Sequence, residues 1–144
     1  MPSVSDIIAK KGRDVATVSR ETCVLDAVKE MNNRRIGAVV VINENRVVGV
    51  FTERDLLNRV VAKQLDVTQV LVNDVMSTPV ACCQLSTELT EAQGVMTKKR
   101  IRHLPVVEGD DLVGIISIGD LMARQVADQQ NTIRYLNEYL YGRT

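Results

Sequence analysis

The sequence predicts an α/β (α+β) fold, in which two copies of one strand–helix–strand–strand–helix unit pack about a pseudo-twofold axis and a C-terminal helix follows. Three observations predict it. The segment around Gly49 recurs 65 residues later around Gly114, which indicates a tandem repeat. Each copy has apolar residues at helical spacing, followed by two short β-branched runs. Runs such as residues 38–42 are apolar on both sides of the pleat, as in strands that are covered on both faces.

The repeat extends over most of the chain. Val47-Val48-Gly49-Val50-Phe51-Thr52 corresponds to Leu112-Val113-Gly114-Ile115-Ile116-Ser117. The other pairs at the same offset include Val15 and Val80, Thr22 and Thr87, Ala27 and Ala92, Met31 and Met96, Ile36 and Ile101, Asp55 and Asp120, and Leu56 and Leu121. Farther upstream, residues 6–8 correspond to residues 74–76 at an offset of 68, so the first copy has three additional residues within 9–14. Because one copy is too small to bury both faces of its strands, we expect residues 1–65 and 66–124 to fold together.

The elements of the first copy follow from local patterns. Residues 15–18 predict a short strand, and Thr22 predicts the N-cap of a helix. The apolar face of this helix is formed by Val24, Ala27, Val28 and Met31. Residues 38–42 and 47–51 predict two strands that flank a polar turn, and a second helix is expected to begin at Thr52.

The second copy repeats this order, and a further helix follows it. Its first helix has an apolar stripe, strands are predicted at 104–107 and 112–116, and its second helix begins at Ser117. The stripe consists of Leu89, Ala92 and Met96. The polar residues 128–131 are expected to connect that helix to a final amphipathic helix within residues 125–144. The apolar and aromatic residues of this last helix are Ile133, Leu136, Leu140, Tyr135, Tyr139 and Tyr141, and Gly142 is the predicted stop signal.

Composition argues against several classes of function. Eighteen basic and eighteen acidic residues give a formal net charge of zero, which argues against nucleic-acid binding through bulk charge. The sequence has no apolar run near the roughly 20 residues that span a bilayer, and it does not open with a secretory signal pattern. Three cysteines, two of them adjacent, predict free thiols in a cytoplasmic protein. With one histidine and no ligand pair at metal-binding spacing, a structural metal site is not predicted.

The repeated motifs resemble the cystathionine-β-synthase (CBS) domain family in its stand-alone, two-repeat form. The resemblance covers residues 4–124 and is carried by four segments. These are Gly49-Val50-Phe51-Thr52-Glu53-Arg54-Asp55, Gly114-Ile115-Ile116-Ser117-Ile118-Gly119-Asp120, Arg100-Ile101-Arg102-His103-Leu104-Pro105-Val106-Val107 and Asp74-Val75-Met76. The resemblance implies a regulatory sensor of the adenylate energy state, not an enzyme, that binds an adenine nucleotide: AMP in the first place, with ADP, ATP or NAD(H) as alternatives. It also implies a homodimer that acts in trans on an unidentified effector protein.

The resemblance further implies two composite clefts, each of which combines a Ser/Thr-x-x-Asp segment from one repeat with adenine-facing strand residues from the other. The first would contain Thr52, Arg54, Asp55, Val80, Ala81, Ile101, Arg102 and His103. The second would contain Ser117, Asp120, Val15, Ala16, Ile36, Gly37 and Ala38. The first is expected to prefer a phosphorylated ligand because Arg54, Arg102 and His103 converge there. In the second, the inserted residues 10–13 would supply positive charge.

The chemistry of these residues allows more than one interpretation. An ionised carboxylate accepts hydrogen bonds from both hydroxyls of a ribose, and a helix start attracts a phosphate. The same Ser/Thr-x-x-Asp spacing is also that of a capping box. The alternative function is a structural protein–protein interaction module without a ligand, in which side chains fill the clefts. A hydrolase is disfavoured, because the sequence lacks a base–nucleophile set and a carboxylate cluster for Mg²⁺.

Overall fold

The structure is a computed structural model that describes the backbone of residues 1–141 and the side chains of residues 1–137. Its helices are α1 (Val4–Lys11), α2 (Val24–Arg34), α3 (Glu53–Asp55), α4 (Val72–Val75), α5 (Leu89–Lys99) and α6 (Ile118–Tyr141), and α3 continues into a π-helical segment, Leu56–Val61. Its strands are β1 (Thr17–Ser19), β2 (Ala38–Asn43), β3 (Arg46–Thr52), β4 (Cys83–Gln84), β5 (His103–Glu108) and β6 (Asp111–Ser117). The predicted side-chain positions of Tyr139, Leu140 and Tyr141, and the stop at Gly142, lie outside the described residues.

The six strands form one sheet in the order β1-β2-β3-β6-β5-β4. In each repeat the first two strands are parallel and the hairpin that follows is antiparallel. The two hairpins have equivalent registers, because Ala38 lies opposite Thr52 and His103 lies opposite Ser117. The repeats meet between β3 and β6, at the ends that carry the hairpin turns. This arrangement confirms the predicted fold class and its two related halves.

Two short helices, α1 and α4, precede the strands and were not among the predicted elements. Each packs on the core of the other repeat. Val4, Ile7 and Ile8 of α1 belong to the core of β4–β6, α5 and the start of α6, whereas α4 belongs to the core of β1–β3 and α2. The sequence repeats and the packing units therefore differ by one exchanged helix each.

Two glycines at equivalent positions in the sheet make room for these exchanged helices. A methyl group built at Gly49 would collide with the side chain of Met76, and one built at Gly114 would lie 2.7 Å from Ile8 Cδ1. Ile8 and Met76 correspond to each other in the upstream register of the repeat. The two contacts are therefore one interaction that occurs twice, and the absence of a Cβ at each glycine permits it.

The C-terminal helix is present, but the predicted polar connection at residues 128–131 is wrong. Helix α6 runs without interruption from Ile118 to Tyr141. The polar stretch contains neither Gly nor Pro, so nothing in it breaks a helix. Arg124 pairs with Asp128 one turn later at 3.2 Å, and such i,i+4 pairs support helix on an exposed face.

Candidate functional site

A cavity of about 480 Å³ lies between the two repeats, within the size range of small-molecule sites. The structure brings together there all five strand-side residues predicted for the second cleft, which are Val15, Ala16, Ile36, Gly37 and Ala38, with Ser117 from the other repeat. The other lining residues are Lys11, Asp14, Arg34, His103 and Ile115. We refer to this cavity, with Asp120 at the adjoining helix start, as the Asp120 cleft.

Its polar wall is the junction where β6 becomes α6. Ser117 and Asp120 form a reciprocal cap: the Ser117 amide donates to Asp120 Oδ2 at 2.8 Å, and the Asp120 amide donates to Ser117 Oγ at 3.1 Å. The capping-box interpretation of this motif is therefore correct, and it leaves the Asp120 side chain 25% exposed. A carboxylate that caps a helix and still reaches solvent has acceptor capacity left for a ligand.

Lys11 supplies a cation to this wall. Its Nζ donates to Asp120 Oδ2 at 2.7 Å and to the Ile115 carbonyl at 3.0 Å. Lys11 is the last residue of α1, which packs on the second core, so an element of the first repeat carries positive charge to the acid of the second. Of the residues 10–13 that were expected to supply charge here, Lys11 is the one that contacts Asp120.

His103 also lines the Asp120 cleft, although the prediction grouped it with Asp55. It lies opposite Ser117 in the β5–β6 ladder, which aims this part of β5 at the cavity. The pKa of His103 is lowered, mainly by burial and then by the nearby Lys11 ammonium. The Asp120 and Glu53 carboxylates oppose this shift without cancelling it, and Arg102 lowers the pKa slightly further. At neutral pH the imidazole is therefore uncharged and can exchange hydrogen bonds with a ligand in either direction.

Asp55, the equivalent acid of the first repeat, is in a different environment. It is only 4% exposed. The Thr52 amide and hydroxyl donate to Oδ2 at 3.0 and 3.2 Å, and Ser77 Oγ donates to Oδ1 at 2.8 Å. Arg59 Nε adds an ion pair at 3.7 Å. Groups of the protein itself thus occupy both oxygens of Asp55 and make it the centre of a buried polar cluster.

Sequence reasoning missed Ser77 and Arg59, the two partners that distinguish the acids. Arg59 had a signal, because it lies four residues after Asp55 at a helical ion-pair spacing. Its counterpart at the repeat offset, Arg124, pairs with Asp128 instead. Ser77 had no local signal, because it reaches Asp55 through a bridge between Val50 and Ser77, a contact that depends on how α4 packs.

The remaining residues predicted for the first cleft lie at the surface or against the second core. Arg54 crosses between the repeats and donates to the Arg100 carbonyl at 3.1 Å. Ala81 and Ile101 pack against the second core, and Val80 is half-buried while Arg102 is exposed. Neither of the last two has a described contact with Asp55. The buried cluster around Asp55 is therefore described by contacts within the first repeat and with Ser77, which follows α4.

The family model of the CBS domain matches residues 4–62 and 72–127 of this chain, one match for each repeat. The chain belongs to the CBS domain family. YhcV of Bacillus subtilis, a CBS domain-containing protein, is 33% identical over 129 residues, which cover 90% of this CBS pair and 89% of YhcV.

Solved CBS structures share the fold. The CBS domain-containing protein from Agrobacterium tumefaciens is 38% identical, with a TM-score of 0.80 over 85% of this chain and 98% of its own. A CBS domain protein from Pyrobaculum aerophilum, solved in complex with AMP, is 27% identical, with a TM-score of 0.73 over 82% and 88%. The CBS-CP12 protein of bloom-forming cyanobacteria, which is hexameric, is 26% identical, with a TM-score of 0.75 over 85% and 70%. Within residues 1–141 of this CBS pair, no helix combines the length and apolarity needed to cross a bilayer.

Proposed function

We propose that this CBS pair is a regulatory sensor that binds an adenine nucleotide in the Asp120 cleft and acts in trans on a partner protein. The observation that carries the proposal is the composition of that cavity. Apolar strand residues of the first repeat face a partly exposed acid, a helix start and a lysine of the opposite wall. An adenine, a ribose and a phosphate require these three kinds of surface.

Each part of a nucleotide has a matching group. The adenine would lie against the apolar side of the cleft, between Ala16 and Ile36. The ribose hydroxyls would donate to Asp120, since bonds to a charged group contribute about 1.5–3 kcal/mol each. The phosphate would lie near Lys11 and the start of α6, where backbone amides and the helix dipole favour an anion. AMP meets these requirements with the fewest additional groups, and ATP or NAD(H) would extend out of the cleft.

The difference between the two acids supports the Asp120 cleft as the first site of the ligand. The sequence favoured the Asp55 cleft because of its cations, yet Asp55 is buried and its oxygens are already occupied. A ribose at Asp55 would have to displace Ser77. At Asp120 the ribose meets a side chain that is 25% exposed. Occupancy of the first cleft remains a proposal for a second, weaker site.

We also propose that the module is a homodimer. Leu57 and Val61, after β3, and Met122 and Val126, their counterparts after β6, are each more than half exposed. Four apolar side chains at i,i+4 spacing on two equivalent helices favour association of like surfaces. Sedimentation equilibrium should give a dimer for the unmodified chain and a monomer for Val61→Asp combined with Val126→Asp. A dimer that persists in this variant excludes the surface.

Calorimetry tests the function. Titration with AMP, ATP and NADH should give saturable binding to the unmodified chain and about tenfold or greater loss of AMP affinity in Asp120→Asn. Asp55→Asn is the matched control and should retain AMP binding. AMP recovered after long incubation should be chemically unchanged, as expected for a sensor rather than an enzyme. If no adenine ligand binds or raises the thermal midpoint, the alternative of an interaction module without a ligand is correct.

A further inference from the structure

The ion pair between Lys11 and Asp120 occupies one oxygen of the carboxylate that is proposed to bind the ribose. Asp120 Oδ2 accepts from Lys11 at 2.7 Å and from the Ser117 amide at 2.8 Å. A ribose that donates from both hydroxyls to both oxygens of this carboxylate must share Oδ2 with the ammonium or displace it. The two side chains are about one-third and one-quarter exposed, so water compensates only in part an ammonium that loses its partner there.

We propose that Lys11 is the residue that makes the Asp120 cleft select phosphorylated nucleotides over nucleosides, by moving from Asp120 to the phosphate of the ligand. The inference rests on the proposed function and concerns the specificity of the same site. A nucleotide supplies an anion that replaces the carboxylate as partner of Lys11. A nucleoside supplies only hydroxyls, so its ribose competes with Lys11 for Asp120 and leaves the cation without an equivalent partner.

The position of Lys11 in the fold permits such a movement. Lys11 ends α1 and is followed by Gly12, whose φ of 97° lies in a region that side-chain-bearing residues rarely adopt. The α1 backbone is fixed one turn earlier, because Ile8 packs against Gly114. The ammonium is therefore tethered beside the cavity by a flexible four-carbon stem, which can redirect the charge while the helix stays in place.

The Lys11–Asp120 pair has no equivalent at Asp55 among the described contacts. Lys11 falls opposite Pro79 at the offset of 68 and opposite Met76 at the offset of 65, and neither side chain has a hydrogen-bond donor. The acid of the other cleft, Asp55, is held by Ser77 and Arg59 instead. The last residue of α1 thus brings a cation to Asp120, whereas Asp55 has a neutral donor, Ser77, and an arginine from the π-helical segment that follows it.

Calorimetric titration with both AMP and adenosine tests the proposal. For the unmodified chain we expect AMP to bind more tightly than adenosine. Lys11→Met should weaken AMP by about tenfold or more while adenosine binding stays equal or tightens, so that the AMP-to-adenosine preference collapses. Lys11→Arg keeps the charge and should retain most of the preference. Lys29→Met removes an exposed lysine of α2 that does not line the cleft; it is the matched control and should bind both compounds as the unmodified chain does.

The outcomes separate the inference from the function on which it rests. If the unmodified chain binds AMP and Lys11→Met keeps the same AMP-to-adenosine ratio, the role of Lys11 is wrong and the nucleotide site stands. If the unmodified chain binds neither compound, the proposed function and the role of Lys11 both fail. The thermal midpoint of each variant, measured without nucleotide, shows whether a loss of affinity reflects unfolding; a folded Lys11→Met with selectively lost AMP binding supports the proposal.

Discussion

Replacing each of the two repeat acids by alanine should separate structure from binding. Asp55→Ala removes a carboxylate that is 4% exposed and accepts hydrogen bonds from Thr52 and Ser77. Hydrogen bonds to a charged group contribute about 1.5–3 kcal/mol each, but bonds to one shared group are not additive. The substitution also leaves the Ser77 hydroxyl without its acceptor. We therefore expect the free energy of unfolding to fall by about 3 kcal/mol.

Asp120→Ala is the matched control, because it removes the same group from the equivalent cap. A partly exposed ion pair contributes about 0.2–1 kcal/mol, and an N-cap contributes about 1 kcal/mol. The expected loss is about 1–2 kcal/mol, smaller than for Asp55, whereas nucleotide binding should be lost only in Asp120→Ala. Urea unfolding of the two variants at one pH, with calorimetry in parallel, measures both effects. An Asp55→Ala variant no less stable than Asp120→Ala would refute the assignment of Asp55 to a buried structural cluster.

Three further predictions follow from packing and protonation. Gly114→Ala should lower the free energy of unfolding by about 1–3 kcal/mol, because its methyl group meets a core side chain at 2.7 Å. Gly94→Ala, within α5 and with open space around it, should raise the free energy of unfolding by up to about 1 kcal/mol. If urea unfolding gives the same change for both variants, the close packing of Ile8 on Gly114 is wrong. Because burial lowers the pKa of His103, its protonation favours the unfolded chain. Stability should therefore decline as pH falls through its ordinary value of 6.5, and an unchanged profile in His103→Gln contradicts this. Burial raises the pKa of the Cys83 thiol to about 12, so iodoacetamide should modify the exposed Cys82 before Cys83. Mass spectrometry of a time course gives the order, and earlier modification of Cys83 would contradict its burial.

Much of the fold could be predicted because the repeat states the same pattern twice. Two β-branched runs around a polar turn, as at residues 38–42 and 47–51, leave few alternatives to a hairpin. The exchanged helices could not be predicted in this way. Three apolar residues in α1 satisfy a helical spacing, but only the Gly114 gap on the opposite core shows where Ile8 packs. Partner choice between equivalent cores is a tertiary property.

The candidate site, like the fold, could be predicted only in part. The Ser/Thr-x-x-Asp spacing predicted both helix starts, and both form capping boxes. The spacing does not encode how exposed each acid is, because that depends on residues distant in sequence. Ser77, just after α4, covers one acid, and Lys11 reaches the other from α1. The preference for the Asp55 cleft followed from counting cations, and it neglected the neutral hydroxyl that occupies the carboxylate.

A crystal structure of this CBS pair grown with AMP would show directly whether the nucleotide binds at Asp120. We expect AMP between the repeats, with its adenine against Ala16 and Ile36, its ribose hydroxyls within hydrogen-bond distance of Asp120, and its phosphate beside Lys11. AMP bound instead at Asp55, with Ser77 displaced and the Lys11–Asp120 pair intact, would show that the proposed site is wrong.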